Sequence, residues 1–401
     1  MKKEIAIIGG GSCALFLANE IDTEKYLVSV YERNATPGRK FLVAGHGGLN
    51  LTHSEPAQQF VEKYTPASFL APAFLQYDNT FFREWLLKLG IATKVGSSGR
   101  VFPDGKIKPA QVLEILRKRA EQRGVKFNFK SEWQGFDTNN QSIILFDGIQ
   151  KSIASQFTVC CLGGASWPVT GSTGSWQKHF EKLNISTPQF QASNCEFLVT
   201  WPTEVKEHLA GKPLKNCLIS TNSVSRLGEL VITANGIEGS GVYPLSAQVR
   251  EQLKSSGRAE LKLDLKPTKS LEAIEQVLSQ KTKQKSISER LKNDLALSTS
   301  AVKLLKALSS KDDFSNPKIL AGHIKNLPLQ IVGLAPIDEA ISTVGGIGLQ
   351  EVDENFQLNK LPRVFVIGEM LDFDAPTGGY LLQACFSMAM HLASFLNTKK
   401  N

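Results

Sequence analysis

Glycines near the start of the chain, and one acid farther on, have the spacing of a dinucleotide-binding turn. Gly9, Gly11 and Ala14 fit the pattern G-x-G-x-x-G/A between a short apolar run and a helical pattern, and Glu32 ends the next apolar run. The first glycine permits a tight turn, the second lets backbone N–H groups approach a pyrophosphate, and the helix start adds partial positive charge. A carboxylate at the end of the second strand accepts hydrogen bonds from a ribose diol. We therefore predict a dinucleotide site that also includes Ser12, Cys13 and Arg33.

A glycine pair near the end of the chain indicates which dinucleotide binds. The run "FVIGE" predicts a strand that ends in Gly368 and Glu369, and Gly378 and Gly379 open the last helix. An isoalloxazine ring at the far end of a cofactor needs a second helix start, whose dipole favours negative charge on the reduced ring. We therefore predict tightly bound FAD, with Gly368 and Glu369 near its ribityl chain and phosphates. The chain has one such fingerprint, so NAD(P)H is expected only as a transient donor.

Two further stretches are expected to contact FAD. The alternating run "GVKFNFKSEW" predicts a strand whose end, at Trp133, passes the adenine ring. The run from 155 to 175 predicts another strand, which leads into Gly163, Gly164 and a second glycine-rich turn.

The elements that position these residues come from both ends of the chain. Between them, residues 188–265 read as short alternating strands separated by turns, and residues 268–315 read as helices. We predict an α/β fold with a Rossmann-like FAD-binding domain, an inserted β-barrel-like domain and a small helical subdomain. The predicted boundaries are 1–187 and 343–401 for the FAD-binding domain, 188–267 and 319–342 for the β-rich domain, and 268–318 for the helical subdomain.

Length and composition are consistent with several domains. A chain of 401 residues exceeds the size at which single cores stop growing. Its composition, 42% hydrophobic and 21% charged, is that of an ordinary globular protein, and no apolar run is long enough to span a bilayer. The six cysteines show neither C-x-x-C nor zinc-site spacing. We predict a reduced, cytoplasmic protein without a structural metal or a membrane partner.

Several separated motifs, in this order, resemble the YhiN/BaiN/RdsA-type FAD-dependent oxidoreductases, the aminoacetone-oxidase-type flavoproteins. The resemblance covers essentially the whole chain, and the form "GLNLTHSEP" marks a subgroup within it. It implies that the segment after Glu32 lines the FAD cleft. The motifs are "IAIIGGGSCA", "PGRKFLVAGHGGLNLTHSEP", "GRVFPDGK", "CLGGASWPVTGSTG", "GELVITANGIEGSG", "STVGGIGLQEVD" and "VIGEMLDFDAPTGGYLLQ". The FAD-site residues that the resemblance adds are Arg39, Lys40, Gly45, Gly47, Asn50, Thr377 and Tyr380.

The chain departs from the family pattern S-G-N-G-R-C-N in the segment "AGHGGLN". His46 replaces Asn, Gly48 replaces Arg and Leu49 replaces Cys, so the acid or base must lie elsewhere if that Cys donates a proton in other members. His46 is one candidate, because imidazole titrates near neutral pH; the alternative is a turn histidine bonded to backbone.

Two other candidates also have alternative roles. Arg100 could reach an anionic substrate or hold its own loop, and Tyr380 could protonate a substrate or pack against the flavin edge. His53 precedes what reads as a helix start at Ser54, so a capping role is expected for it.

Charge is concentrated in one segment. Residues 281–311 carry eight Lys and Arg against Glu289 and Asp294, which is +6 of the net +8. A basic surface of this kind indicates a polyanionic partner. The charge run alone, however, favours the alternative that these lysines and arginines form a solvated helical face. The RNA contacts predicted from this segment are Lys281, Lys283, Lys285, Arg290 and Lys292.

The resemblance implies hydride transfer with one of three substrate classes: a conjugated alkene, a small aminoketone or a uridine in ribosomal RNA. The basic segment favours RNA. The alternatives are a small-molecule flavin reductase or oxidase and an RNA- or ribosome-binding flavoprotein with little catalysis. The sequence makes no prediction of the oligomeric state.

Overall fold

The computed structural model of the chain describes residues 2–44, 48–105, 107–280 and 286–399. Two units can be distinguished: Met1–Ala192 together with Ile337–Asn401, and Ser193–Pro336. The predicted β-rich and helical segments fall mostly in the second unit, and the finer domain boundaries stay a prediction.

The strands, in chain order, are β1 (Lys3–Ile8), β2 (Tyr26–Glu32), β3 (Thr52–His53), β4 (Thr93–Val95), β5 (Arg100–Pro103), β6 (Lys126–Phe129), β7 (Ser131–Phe136), β8 (Ser142–Phe146), β9 (Ile149–Ile153), β10 (Phe157–Cys160), β11 (Gln191–Ser193), β12 (Phe197–Val199), β13 (Lys212–Ser220), β14 (Ser225–Ile232), β15 (Gly236–Glu238), β16 (Ala259–Asp264), β17 (Leu327–Leu334), β18 (Ser342–Val344) and β19 (Val364–Val366).

The α-helices are α1 (Ser12–Glu20), α2 (Arg39–Ala44), α3 (Ala57–Val61), α4 (Ala67–Gln76), α5 (Asn79–Lys88), α6 (Pro109–Gln122), α7 (Gln177–Glu181), α8 (Thr203–Leu209), α9 (Ser246–Ser256), α10 (Leu271–Ser279), α11 (Ile287–Asn293), α12 (Thr299–Leu308), α13 (Lys311–Ser315), α14 (Pro317–Lys325) and α15 (Tyr380–Thr398). Short 3-10 helices cover Pro168–Thr170, Tyr243–Leu245, Ile337–Glu339 and Leu349–Glu351.

A parallel sheet organises the first unit. Its strand order is β19-β10-β1-β2-β6, and every neighbouring pair is parallel. The buried residues of β1 and β10 are apolar except for Thr158, because both faces of the sheet are covered. The order reverses direction between β1 and β10, and ligands of doubly wound sheets bind at such a switch point, beyond the carboxyl ends of the strands.

Helices α1 and α15 pack together against this sheet. Phe16 of α1 and Phe386 of α15 meet edge to face with ring centroids 5.4 Å apart, and Phe386 also stacks on Phe82 at 4.1 Å. All three rings are almost fully buried, and truncating one such ring to alanine costs ~3–5 kcal/mol. The first and last helices of the unit therefore share one core.

The second unit contains a closed antiparallel barrel with the order β12-β15-β14-β13-β16-β17. β16 and β17 alternate buried and exposed residues, so that Leu261, Leu263, Leu329 and Ile331 point inward. The predicted β-rich domain is found, but α8 and α9 within it were not predicted.

Helices α10 to α14 also lie in the second unit, and a polar side chain caps the start of each. The caps are Ser270, Ser286, Ser298, Ser310 and Asn316, which accept backbone N–H bonds from the first turn.

The structure corrects one predicted RNA contact in these helices. Arg290 is 7% exposed, and its guanidinium donates to the carbonyl oxygens of Val277 and Leu278. Its charge is therefore directed into the protein, and the prediction that it binds RNA is wrong. Lys292 is exposed, and its RNA contact stays a prediction. Lys281, Lys283 and Lys285 lie outside the described residues.

A second correction concerns the run predicted as one strand before Trp133. Lys130 has a left-handed φ of 54°, and it separates β6 of the parallel sheet from β7 of an antiparallel β7-β8-β9 sheet. Trp133 consequently lies inside another sheet and not at the end of a parallel strand. Among the described residues, no helix is both long enough and apolar enough to cross a membrane.

Candidate cofactor and active site

The turn between β1 and α1 contains two glycines with different physical requirements. A Cβ on Gly9 would lie 2.5 Å from the carbonyl oxygen of Cys161, and its φ is 94°. A Cβ on Gly11 would meet nothing within 4 Å. Gly11 is the N-cap of α1, and no side chain caps that helix start. The helix start thus has uncapped N–H groups and open space beside Gly11, a combination that suits a pyrophosphate.

The neighbours of this turn differ in exposure. Ala14 is fully buried in α1, where it allows close helix packing. Ser12 is half-buried. Cys13 donates to the carbonyl oxygen of Cys385 at 3.3 Å, and burial raises the pKa of its thiol well above the usual value.

Glu32 is held at the end of β2 by its own loop. One carboxylate oxygen accepts from the N–H of Gly10 at 2.7 Å, and the other accepts from the N–H and side-chain amide of Asn34, both at 2.7 Å. Because a carboxylate has about four acceptor sites, Glu32 retains capacity for a ribose hydroxyl. Asn34 also accepts from Arg39 at 2.9 Å, so Arg39 supports this loop from the surface.

A polar groove of about 450 Å³ continues from this loop. Its lining residues include Arg33, Asn34, Lys130 and Glu132. Trp133, predicted to meet the adenine, is instead in contact with His179 and Phe180, and its side chain is buried. Arg33 lines this groove, and its cofactor contact, like the adenine contact of Trp133, stays a prediction.

An ion pair lies at the carboxyl ends of β10 and β19. Lys40 donates to both oxygens of Glu369, at 2.9 and 3.2 Å, and to the hydroxyl of Ser166 at 2.7 Å. Glu369 also accepts from the backbone N–H of Thr343 at 3.1 Å. A Cβ on Gly164 would collide with Thr343 and Glu369. Lys40, Gly164 and Glu369, all predicted cofactor residues, thus meet at one point.

Gly163 and Gly368 complete the same edge. Both have left-handed φ values, 71° and 84°. The carbonyl oxygen of Gly163 accepts from the indole of Trp176 at 2.9 Å. A Cβ on Gly368 would lie 3.3 Å from the Cys13 sulfur, so this glycine brings the β19 loop against α1.

Asn50 has an acceptor atom that no described residue satisfies. Its amide nitrogen donates to the carbonyl oxygens of Thr52 and Val101 at 2.8 and 3.0 Å. Its Oδ1 is buried and has no hydrogen-bond partner among the described residues. A buried acceptor without a donor requires an explanation, and a flavin N–H is one suitable donor.

The start of α15 closely approaches β3, which follows Asn50 in the chain. Gly378 and Gly379 have φ values of 111° and 94°, and a Cβ on Gly379 would lie 2.5 Å from the Cα of Thr52. Thr377 is half-buried at the same loop. Only glycine allows this approach, which brings β3 beside the helix start.

Two of the three catalytic candidates lie close to Gly378. An ideal Cβ there would be 3.3 Å from Cε2 of Tyr380 and 3.7 Å from Nε of Arg100. The Tyr380 hydroxyl donates to Oε1 of Glu55, and Tyr380 is 7% exposed. The third candidate, His46, lies with Gly45 and Gly47 outside the described residues.

His53 is held by hydrogen bonds at both ring nitrogens. Nδ1 accepts from the N–H of Glu55 at 3.2 Å, so Nε2 carries the proton and donates to the carbonyl oxygen of Ser98 at 2.9 Å. Its ring stacks on Tyr380 with centroids 5.6 Å apart. The predicted capping role is wrong, because His53 lies in β3 and the next helix begins at Ala57.

The family described as HI0933-like protein Rossmann domain matches residues 3–395. The chain belongs to this family. The HI0933-like family comprises FAD-dependent oxidoreductases, so the predicted fold class, FAD and oxidoreductase activity are confirmed.

Curated relatives match this HI0933-like chain over nearly their full length. A ribosomal RNA dihydrouridine synthase of Escherichia coli is 24% identical and covers 98% of each chain, and one of Haemophilus influenzae is 25% identical and covers 96% of each. A 3-dehydro-bile acid delta(4,6)-reductase of Clostridium scindens is 22% identical, covering 94% of this chain and 95% of its own.

Solved structures share the fold. A flavocytochrome c3 fumarate reductase has a TM-score of 0.51 at 12% identity, covering 99% of this chain and 78% of its own. A 3-ketosteroid delta1-dehydrogenase from Sterolibacterium denitrificans has a TM-score of 0.51 at 10% identity, with both chains fully covered.

Sequence reasoning missed three residues of this HI0933-like site. Glu55, Ser166 and Thr343 were not predicted, although each lies inside a motif that carries the family resemblance. Their partners are Tyr380, Lys40 and Glu369, at sequence separations of 325, 126 and 26. The motifs were a usable signal, but the pairing was not visible in the sequence.

Proposed function

We propose that this protein reduces a carbon–carbon double bond conjugated to a carbonyl group, and that the substrate is a uridine in ribosomal RNA. The observation that carries the proposal is that Arg100 and Tyr380 both lie within 4 Å of the position that a Cβ on Gly378 would occupy. The printed names of the relatives support it, since dihydrouridine synthesis and the reduction of a 3-dehydro-bile acid both saturate such a bond.

FAD, when bound, supplies the redox chemistry by delivering hydride to the electron-poor end of the double bond. The open space over Gly11 and the α1 start would hold its pyrophosphate. Glu32 would accept a ribose hydroxyl, and Asn50 Oδ1 would accept a hydrogen bond from the ring system. The Lys40–Glu369 pair would face the ribityl chain.

Arg100 stabilises charge on the substrate. Hydride addition places negative charge on the carbonyl oxygen conjugated to the double bond, and a fixed guanidinium is a preorganised donor for that oxygen. Arg100 opens β5, whose backbone pairs with His53 of β3, so the sheet fixes the backbone from which its guanidinium extends. This role replaces the alternative in which Arg100 only holds its own loop.

Tyr380 donates the proton that completes the reduction. Tyr380 is the first residue of α15, and its ring lies close to Gly378. The hydroxyl is oriented by its hydrogen bond to Glu55. After the phenol releases its proton to the substrate carbon, Glu55, which is partly exposed, is placed to return a proton from solvent. The pair supplies the acid that Leu49 cannot supply, because Leu49 is an apolar side chain with 5% exposure.

RNA binding in this proposal uses exposed lysines of α11 and α12. Lys292, Lys303 and Lys306 are exposed, whereas Leu291, Leu304 and Leu305 of the same helices are buried. Such lysines contact phosphates and make affinity depend on salt. NAD(P)H is the proposed electron donor, and the cytoplasm, where ribosomes are made, is the proposed compartment.

A small-molecule enone is the second candidate substrate, favoured by the bile-acid reductase relative. The deciding experiment incubates purified holoprotein and NAD(P)H with protein-free ribosomal RNA from a strain lacking the gene, or with a 3-keto-4-ene steroid. Dihydrouridine is then measured by mass spectrometry. New dihydrouridine supports the RNA proposal. Steroid reduction with unchanged RNA selects the second candidate, and RNA binding without turnover of either substrate selects a binding protein with little catalysis.

A further inference from the structure

An aromatic side chain is exposed on the loop that follows Gly164. Trp167 is 37% exposed and Val169 is 73% exposed, although both are large apolar residues. Trp167 has a left-handed φ of 57°, which a bulky non-glycine residue adopts only at a cost of ~1–3 kcal/mol. An aromatic ring that is held outward in an unfavourable backbone conformation indicates a binding role.

The loop is anchored at one end to a predicted FAD-binding residue and at the other to a residue that holds one. On one side, the Ser166 hydroxyl accepts from Lys40 at 2.7 Å. On the other, the carbonyl oxygen of Thr170 accepts from Asn34 at 3.5 Å. Asn34 is bonded to Glu32, so the exposed ring lies on a short span between two parts of the cofactor site.

The loop also has internal hydrogen bonds. The hydroxyl and the N–H of Thr170 both donate to the carbonyl oxygen of Trp167, at 2.7 and 2.9 Å, and the N–H of Gly171 donates to Pro168 at 2.9 Å. Pro168 further restricts the backbone. The ring is therefore presented by a preorganised loop, which lowers the entropic cost of binding.

Charge around the loop favours an anionic partner. A Cβ on Gly171 would lie 3.3 Å from Nε of Arg33, and Arg39 is exposed beside Asn34. An exposed aromatic ring next to arginines is the combination that binds single-stranded nucleic acid, by stacking on a base and pairing with phosphates.

We propose that Trp167 is a stacking platform for an unpaired nucleobase of the substrate RNA at the rim of the FAD site. This inference rests on the proposed function, because it requires an RNA substrate. A base that stacks on Trp167 would hold the strand while a neighbouring uridine leaves the helix and enters the cleft.

Tryptophan fluorescence tests this platform directly. The chain has five tryptophans, and the other four, Trp85, Trp133, Trp176 and Trp201, are 4–7% exposed. A uridine-containing single-stranded oligoribonucleotide should therefore quench mainly Trp167. The holoprotein is titrated with this probe, and affinity is measured separately by anisotropy of the labelled probe.

Replacing Trp167→Ala should weaken binding by roughly 5- to 150-fold, since stacking on one base is worth ~1–3 kcal/mol. Trp167→Phe should keep the affinity and lose the quenching. Leu227→Ala, which removes another exposed apolar side chain (68% exposed), should change neither. Visible flavin absorbance verifies that each variant retains its fold and cofactor.

The two hypotheses fail in different ways. If the wild type binds RNA and forms dihydrouridine, but its fluorescence is unchanged and Trp167→Ala binds equally well, the platform is wrong and the proposed function stands. If the wild type binds no RNA at low salt, both are wrong. Quenching by RNA together with weak binding of Trp167→Ala supports the platform.

Discussion

Lys40 and Glu369, 329 positions apart in the chain, form an ion pair with Nζ 2.9 Å from Oε2. Lys40 lies in α2, and Glu369 lies in the loop that follows β19. Both were predicted as cofactor residues from separate motifs, and their contact closes one end of the proposed FAD site. We expect this pair to position Glu369 for the cofactor.

Replacing Lys40→Met should lower FAD affinity about tenfold and destabilise the holoprotein by ~1–3 kcal/mol, because a buried carboxylate loses its charged donor. Glu369→Gln keeps an acceptor for the Thr343 N–H and should be milder. FAD affinity and Tm are measured for both single variants and the double variant. Strictly additive effects would show that the two residues act independently.

Gly9 and Gly11 should respond differently to substitution. Gly9→Ala places a Cβ 2.5 Å from a backbone oxygen at positive φ, so we expect a loss of stability of ~1–3 kcal/mol or more. Gly11→Leu meets only open space and has an ordinary φ of −74°, so the chain should fold but purify colourless. Circular dichroism and visible absorbance separate the two effects. A yellow Gly11→Leu variant would contradict the proposed pyrophosphate position.

Tyr380→Phe should reduce kcat by roughly 10²–10⁴-fold while FAD binding is retained, because only the proton donor is removed. Rapid mixing should show normal flavin reduction by the donor and a slow second half-reaction with substrate. The matched control is Tyr64→Phe, whose hydroxyl donates to the Tyr380 carbonyl oxygen at 2.8 Å and is buried. That control should lose some stability but little activity. Equal activity losses in the two variants would assign Tyr380 a packing role.

Glu55→Gln provides a separate readout, since Glu55 acts through Tyr380. We expect a reduced kcat, an altered pH profile and a changed solvent isotope effect, with KM nearly unchanged. Glu55→Asp should restore part of the activity. A simple loss of stability with an unchanged pH profile would exclude the proton-return role.

Lysines on α12 and the buried Arg290 should differ in their effect on RNA binding. Neutralising both Lys303 and Lys306 should lower the slope of log affinity against log salt by about 1–2, because each phosphate contact contributes nearly one. Arg290→Met should instead destabilise the helices by ~1–3 kcal/mol, since it leaves the carbonyl oxygens of Val277 and Leu278 without a donor. Filter binding at several salt concentrations, together with Tm, tests both. A change in the salt slope of Arg290→Met without a loss of stability would instead mean that Arg290 contacts RNA.

Stability should fall at alkaline pH because of buried thiols in the second unit. Burial raises the pKa of Cys195 to about 11 and that of Cys217 to about 12. The folded state therefore holds these protons more tightly than the unfolded state, whose thiols titrate near 9. Their stabilisation is complete below pH 9 and declines as pH rises toward 11 and 12. Denaturant unfolding between pH 8 and 11 measures the slope, and Cys195→Ala with Cys217→Ala should flatten it.

The cofactor turn could be predicted from the sequence because its requirements are local. Gly9, Gly11 and Glu32 lie on consecutive strand–turn–helix elements, and the backbone of such a turn restricts which residues fit. The antiparallel barrel was predictable for a similar reason, since alternation along β16 and β17 records which face each side chain points to.

The tertiary structure decided the contacts between distant segments. The hydrogen bond of Tyr380 with Glu55, the position of Arg100 beside Gly378, and the inward direction of Arg290 each depend on how separate elements pack. A lysine or arginine has the same charge and residue type on a solvated face as in a buried site, so the sequence does not distinguish the two positions. The sequence by itself therefore determined the FAD-binding fold and the local geometry of its first turn. Packing determined which polar side chains meet there, because a contact across 325 residues leaves no periodic signal in the chain.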